Sequence, residues 1–299
     1  MSLRWGSFSR LSREIKRKQL HKFIPCATSV FCANTIGYGL EHMDTDILES
    51  ELTAVPKKLK QNKAYSDTIG GLHVVAVDGT EHFRSANIHC DECLEYKIET
   101  KEGTVTHYVH RVVIAQKVGT KMQPILAAEK INHKDTIQKD DQTAGHEGEL
   151  TSAKRLVSKV ISLYGPRFVD VFTMDALYMN YPFTSLVTEY DKDIIAKVTN
   201  ERTILYKERE AISTLVKPIT GYDKKEAISY EIYEIPDMHL VLDWDIPIRG
   251  FNIISKKSES VNENLFLCAT TLPKWKASAN TVRKIVHYYG GLRTMELKT

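Results

Sequence analysis

The chain has 299 residues, 42% of them hydrophobic and 26% charged, with 15 Gly. That composition excludes disordered, collagen-like and coiled-coil classes and leaves room for one large or two smaller domains. No apolar run approaches the ~18 residues of a membrane helix, the first residues lack a signal-peptide core, and the five Cys suit a reducing compartment, so a cytoplasmic protein without a membrane partner is expected. The net charge of +3 says little, but residues 1–22 carry Arg13, Lys16, Arg17, Lys18 and three other cations against Glu14 alone, an arm that suits a polyanion such as DNA.

Residues 1–68 read as a helical, DNA-binding region. Ile47, Leu48, Leu52 and Val55 recur at helical spacing behind Asp44 as a cap, and Pro56 is expected to end that helix before a basic loop, Lys57 to Lys63. Residues 69–200 read as an α/β core. His73 to Val77 is a buried strand closed by an Asp78-Gly79-Thr80 turn. Glu95 to Glu99 and Thr106 to Val118 complete an antiparallel meander. Residues 128–145 read as a polar loop. Glu149 to Tyr164 is an amphipathic helix stopped by Gly165-Pro166. Phe168 to Met174 is a strand ending at Asp175, Tyr181 to Tyr190 a short helix with Pro182 in its first turn, and Asp193 to Val198 a further strand.

Residues 201–272 read as a β-rich insertion, with strands at Ile228 to Ile235, His239 to Trp244, Ile248 to Ser255 and Leu265 to Thr270. Residues 273–299 begin a last helix through Val282, Ile285 and Val286. Trp244 and Trp275 are expected to be packing residues.

Asp78 and Asp175 each follow a buried apolar strand. If those strands are neighbours, the two carboxylates share one edge and suit Mg2+ or Mn2+, hard ions that prefer oxygen ligands. Two such ions activate a water or a 3′-hydroxyl and stabilise the leaving oxygen of a phosphodiester. The competing structural reading is that Asp-Gly is a common turn pair and that Asp is frequent at strand ends.

The strings themselves resemble a known family. Val75-Ala-Val-Asp-Gly-Thr80 and Phe172-Thr-Met-Asp-Ala-Leu-Tyr178 resemble the two aspartate strands of bacterial insertion-sequence DDE transposases of the insertion-sequence-four type. His89-Cys-Asp-Glu-Cys93 with Tyr108-Val-His110, Glu149 to Leu156, Ala269-Thr-Thr-Leu-Pro273 and Ala33-Asn-Thr-Ile36 resemble further segments of that family, over roughly residues 30–290. The resemblance implies an RNase H-like mixed sheet with flanking helices. It also implies cut-and-paste transposition on double-stranded DNA by a homodimer, with Asp78 and Asp175 as catalytic, metal-binding residues.

The third carboxylate of the family is not where the resemblance places it. The last helix reads Val286-His-Tyr-Tyr-Gly-Gly-Leu-Arg-Thr-Met-Glu-Leu-Lys-Thr299, without the Trp-x-Ile-Glu string, and two adjacent Gly are costly in a helix. Codons for Tyr289 to Thr299 can be chosen so that a shifted frame reads Trp-Gly-Ile-Glu-Asn, which points to a frameshift. On that reading Glu296 is not the missing glutamate, cleavage is weak or absent, and a catalytically dead DNA-binding or inhibitory protein is the alternative.

Cys90-x-x-Cys93 with His107-x-x-His110 approaches a Cys2His2 zinc spacing. Residues three apart on a strand face opposite sides, which separates His107 from His110, so buried thiols and surface histidines are the expectation. Glu147 and Glu149, beside His146, are expected to serve the helix start as caps or dipole partners. Arg155 is expected to touch phosphates or to solvate the outer face of the helix.

Overall fold

The computed structural model describes residues 32–66, 68–101, 103–133, 147–198, 207, 214–224, 227–236, 238, 244–257 and 263–296. The chain divides into two compact units, residues 1–55 and 56–299. The basic positions Arg13, Lys16, Arg17 and Lys18 lie outside the described residues, as does the expected strand over 239–243.

Two helices come first, α1 (Ala33–Glu41) and α2 (Thr45–Gln61). Asp44 caps α2 as expected, its Oδ1 accepting from the backbone N–H of Asp46 at 2.9 Å. Pro56 does not end the helix; it sits inside it. Proline removes one backbone donor and opposes the turn before it, but contacts beyond it hold the last turn. Leu59 packs on the core, and the Lys60 ammonium donates to the Arg167 carbonyl. In the first unit the stripe residues Ile47, Leu48, Leu52 and Val55 are exposed.

The second unit is α/β. Its strands are β1 (Val74–Ser85), β2 (Leu94–Thr100), β3 (Gly103–Val118), β4 (Ile125–Lys130), β5 (Val171–Met174), β6 (Asp193–Lys197), β7 (Ile219–Asp223), β8 (Ile228–Ile235), β9 (Arg249–Lys257) and β10 (Glu263–Thr270). They form one sheet in the order β2-β3-β1-β5-β6-β10-β9-β8-β7, with β4 also on β3. Only β1, β5 and β6 run parallel to their neighbours within that set; the remaining pairings are antiparallel. The helices α3 (Glu149–Tyr164), α4 (Tyr181–Glu189) and α5 (Ala279–Glu296) complete the unit.

Several expectations are corrected here. The Asp78-Gly79-Thr80 string is not a turn. Gly79 does not take a positive φ, and the long β3 offers partners to the whole segment, so β1 continues to Ser85 with an irregularity between Glu81 and Phe83. The first three strands are not a meander, because β1 and β2 both pair with β3 rather than with each other. Residues 125–130 form β4, although the stretch from 128 reads as polar loop. The strands described within 201–272 extend the same sheet, since β10 pairs with β6. Trp275 is 86% exposed rather than packed, whereas Trp244 lies partly buried against an apolar cluster. The last helix continues across Gly290 and Gly291 to Glu296.

Two apolar faces hold the sheet. Val75, Val77, Phe172 and Met174 face Ala153, Leu156, Val157 and Val160 of α3. Val74, Ala76 and Val171 face Ala279, Val282, Ile285 and Val286 of α5. The 2-residue period of the strands and the 3.6-residue period of the helices therefore meet on both sides.

Candidate active site

The parallel pairing of β1 with β5 positions the two aspartates. Val74 pairs with Val171, Val75 with Phe172 and Ala76 with Thr173. Two steps further along each strand stand Asp78 and Asp175. Asp175 keeps an extended backbone (φ −81°, ψ 173°) just past β5, so the register carries forward and sets the two residues level on adjacent strands. Neighbouring strands lie about 4.8 Å apart. Asp78 shares the alternation of Val74 and Ala76, and Asp175 that of Val171 and Thr173, so both fall on one face. Both are half-buried.

A third carboxylate, from α3, approaches β1 on the opposite face: Gly79, on which it packs, alternates with Val75 and Val77 on the α3 side, whereas Asp78 alternates with Val74 and Ala76 on the α5 side. Glu149 is the first residue of that helix, behind Gly148 as the cap. It does not cap the helix. Its Oε1 accepts the Tyr178 hydroxyl at 2.6 Å and its Oε2 accepts from Arg111 of β3 at 3.1 Å. A Cβ added to Gly79 would fall 2.4 Å from the Glu149 carboxyl carbon and 2.5 and 2.6 Å from its oxygens. The carboxylate therefore lies against the main chain one residue after Asp78. Its hydroxyl partner stands three residues after Asp175. A sequence signal for this existed: Glu149, Ala153, Leu156 and Val160 form one helical stripe, and a carboxylate on a buried stripe calls for polar company.

Glu147, two residues earlier, is a different case. It is buried and holds Arg155 through contacts of 2.6 Å from both guanidinium NH groups, with further bonds from Ser152 and from the Asn132 amide. Burial opposes its charge, but these donors outweigh that and hold its carboxyl below the ordinary range. Arg155 also binds Glu129 and the Lys130 carbonyl. The pair clamps the start of α3 to β4. His146 and the side chain of Glu296 lie outside the described residues.

The cysteine–histidine candidates separate into two sets. Cys90 Sγ lies 3.7 Å from Cys93 Sγ, and both sulfurs lie 3.3 Å from His110 Nε2. His107 is on the other face of β3, opposite Tyr96 of β2, with its Nδ1 buried and without a hydrogen bond among the described residues. Among the described residues, the set of His, Cys, Asp and Glu ligand atoms lying within 4.8 Å of one another is Cys90, Cys93 and His110, and the three carboxylates are spread more widely. A cleft of about 760 Å³ runs beside His110, lined also by His82, Arg111, Glu129, Lys130 and His133.

No protein-family model and no curated protein matches the chain. Among solved structures it is similar to the NurA nuclease from Sulfolobus solfataricus, at 11% identity and a TM-score of 0.31, over 82% of this chain and 86% of that one. Among the described residues, no helix is long and apolar enough to cross a membrane.

Proposed function

We propose that this chain cleaves DNA phosphodiesters in a metal-dependent reaction, using Asp78 and Asp175 on an RNase H-like core. The observation that carries the reading is the parallel register of β1 and β5, which sets Asp78 and Asp175 level on one face. Glu149 lies on the opposite face and is no third ligand; the last helix, from which the resemblance draws its third carboxylate, packs on the face that the two aspartates share. An all-oxygen donor set fits Mg2+ or Mn2+, which would supply a polarised phosphate and an activated water or hydroxyl.

The element sequence supports the core assignment. Antiparallel strands β1, β3 and β4 are followed by α3, then β5 parallel to β1, then α4, then β6 parallel to β5. This is the order that the resemblance to insertion-sequence transposases implies. Transposition requires strand transfer as well as cleavage, with two DNA ends held by a dimer. Cleavage is the step to which the two aspartates speak.

The test is a nicking assay on supercoiled and end-labelled duplex DNA with Mg2+ or Mn2+, beside a gel shift at varied salt. The expected result is metal-dependent nicking that falls on the order of 100-fold or more in each of Asp78→Asn and Asp175→Asn and is retained in Glu149→Gln. Salt-sensitive binding without nicking by the unaltered chain would instead identify a DNA-binding protein without catalysis. Joining of a pre-cut 3′ end to target DNA reads out strand transfer in the same reactions.

A further inference from the structure

We propose that Cys90, Cys93 and His110 bind one zinc ion, at a site separate from the two aspartates and independent of the cleavage reading. A tetrahedral ion with Zn–S of about 2.3 Å and Zn–N of about 2.0 Å has an S···S edge of about 3.8 Å and S···N edges of about 3.5 Å. The corresponding edges here are 3.7, 3.3 and 3.3 Å. Three soft or borderline donors thus already occupy one face of the required tetrahedron, and the sulfurs are too far apart to be a disulfide.

The local backbone serves the same arrangement. Cys90 and Cys93 bracket a tight turn in which the Cys93 amide donates to the Cys90 carbonyl at 3.1 Å. The Cys90 amide donates to Cys93 Sγ at 3.4 Å. His110 comes from β3, twenty residues away, on the face opposite His107. Its ring is stacked with that of His82, 5.7 Å between centroids, at the irregular point of β1. The site would therefore tie the irregular segment before β2 to the middle of β3. The ion binds two thiolates and one neutral imidazole, and the two thiol protons pass to solvent. Water or a neighbouring side chain completes the fourth position. Thiolates select zinc over the magnesium or manganese suited to the carboxylates.

The experiment is elemental analysis of the full chain purified under reducing conditions, followed by replacement of the metal with Co2+. The expected result is close to one zinc per chain, and a cobalt form with a thiolate charge-transfer band and the strong visible bands of a tetrahedral centre. Cys90→Ser and His110→Ala should each weaken zinc binding at least tenfold, measured by competition with a chromophoric chelator. His107→Ala and Cys32→Ala should retain it. Should a ligand variant fail to fold, the chelator titration of the unaltered chain still decides. Zinc below about 0.1 per chain with no cobalt bands overturns the proposal, as does an equal loss in His107→Ala and His110→Ala. Nicking with Mg2+ is read separately, so failure here leaves the carboxylate reading untouched.

Discussion

Single residues decide how the carboxylate edge is held. Gly79 is in ordinary strand conformation, so its requirement is space rather than backbone freedom. The atoms that a Cβ would meet are the far end of the Glu149 side chain, which can move. Gly79→Ala is therefore expected to leave stability within about 1 kcal/mol of the unaltered protein and, because Glu149 lies on the face opposite Asp78, to leave nicking within about threefold. Urea denaturation beside the nicking assay checks both halves; a loss as large as that of Asp78→Asn would mean that Glu149 takes part in cleavage.

Lys117 is a second residue with a measurable consequence. It is buried on β3, donates to the Phe168 carbonyl at 3.4 Å, and lies over the Tyr65 and Phe168 rings. Burial pushes its ammonium down to about 7; Asp170 opposes that shift and Lys60 adds to it. The unfolded chain's lysine titrates near its ordinary 10.5. Between these values the unfolded chain binds more protons, so stability rises with pH through that window, by at most about 1.4 kcal/mol per pH unit. Below about pH 7 the penalty is fully present, and above about 10.5 it is absent. Lys117→Met should flatten the rise between pH 7.5 and 9.5 in urea denaturation, and an unchanged slope would contradict the assignment.

At the scale of elements, the strongest periodic segments were legible in the sequence. The stripe of α3 fixes the helix from Glu149 to Tyr164, and Gly165 stops it at φ 78°, where its amide meets the Ile161 carbonyl. Asn180 and Pro182 similarly mark the start of α4. The failures have physical causes outside the local pattern. Asp-Gly is a turn signal, but β3 was long enough to pair with residues beyond it. Pro56 is a breaker, but contacts after it hold the turn. The neighbour of a strand depends on distant residues, so the β1-β3-β2 pairing could not be read from three consecutive apolar runs. The same limit explains the candidate site. Asp78 and Asp175 were legible as strand residues, whereas their common face needed the parallel register of β1 and β5. His107 and His110 were separable by strand alternation, but the convergence of His110 with the two thiols depended on the path between β1 and β2.

Across the whole second unit, one sheet carries both candidate sites without merging them. At the β1–β5 seam Asp78 and Asp175 stand on the α5 face, and Glu149 approaches β1 from the α3 face. Further out, β3 presents Arg111 to Glu149 and the adjacent His110 to the thiols, on opposite faces. Oxygen donors and sulfur donors are thus segregated, which suits two different cations in one chain. The strands from β7 to β10 lengthen the sheet on the far side of β6 and contribute the third apolar cluster, around Ile235, Ile248 and Leu267.

The most direct measurement of the central claim is anomalous scattering from crystals of the full chain grown with Mn2+. The account predicts manganese at the β1–β5 edge, ligated by Asp78 and Asp175, and lost from that edge in Asp78→Asn. Manganese elsewhere on the molecule, with none at that edge, would contradict it.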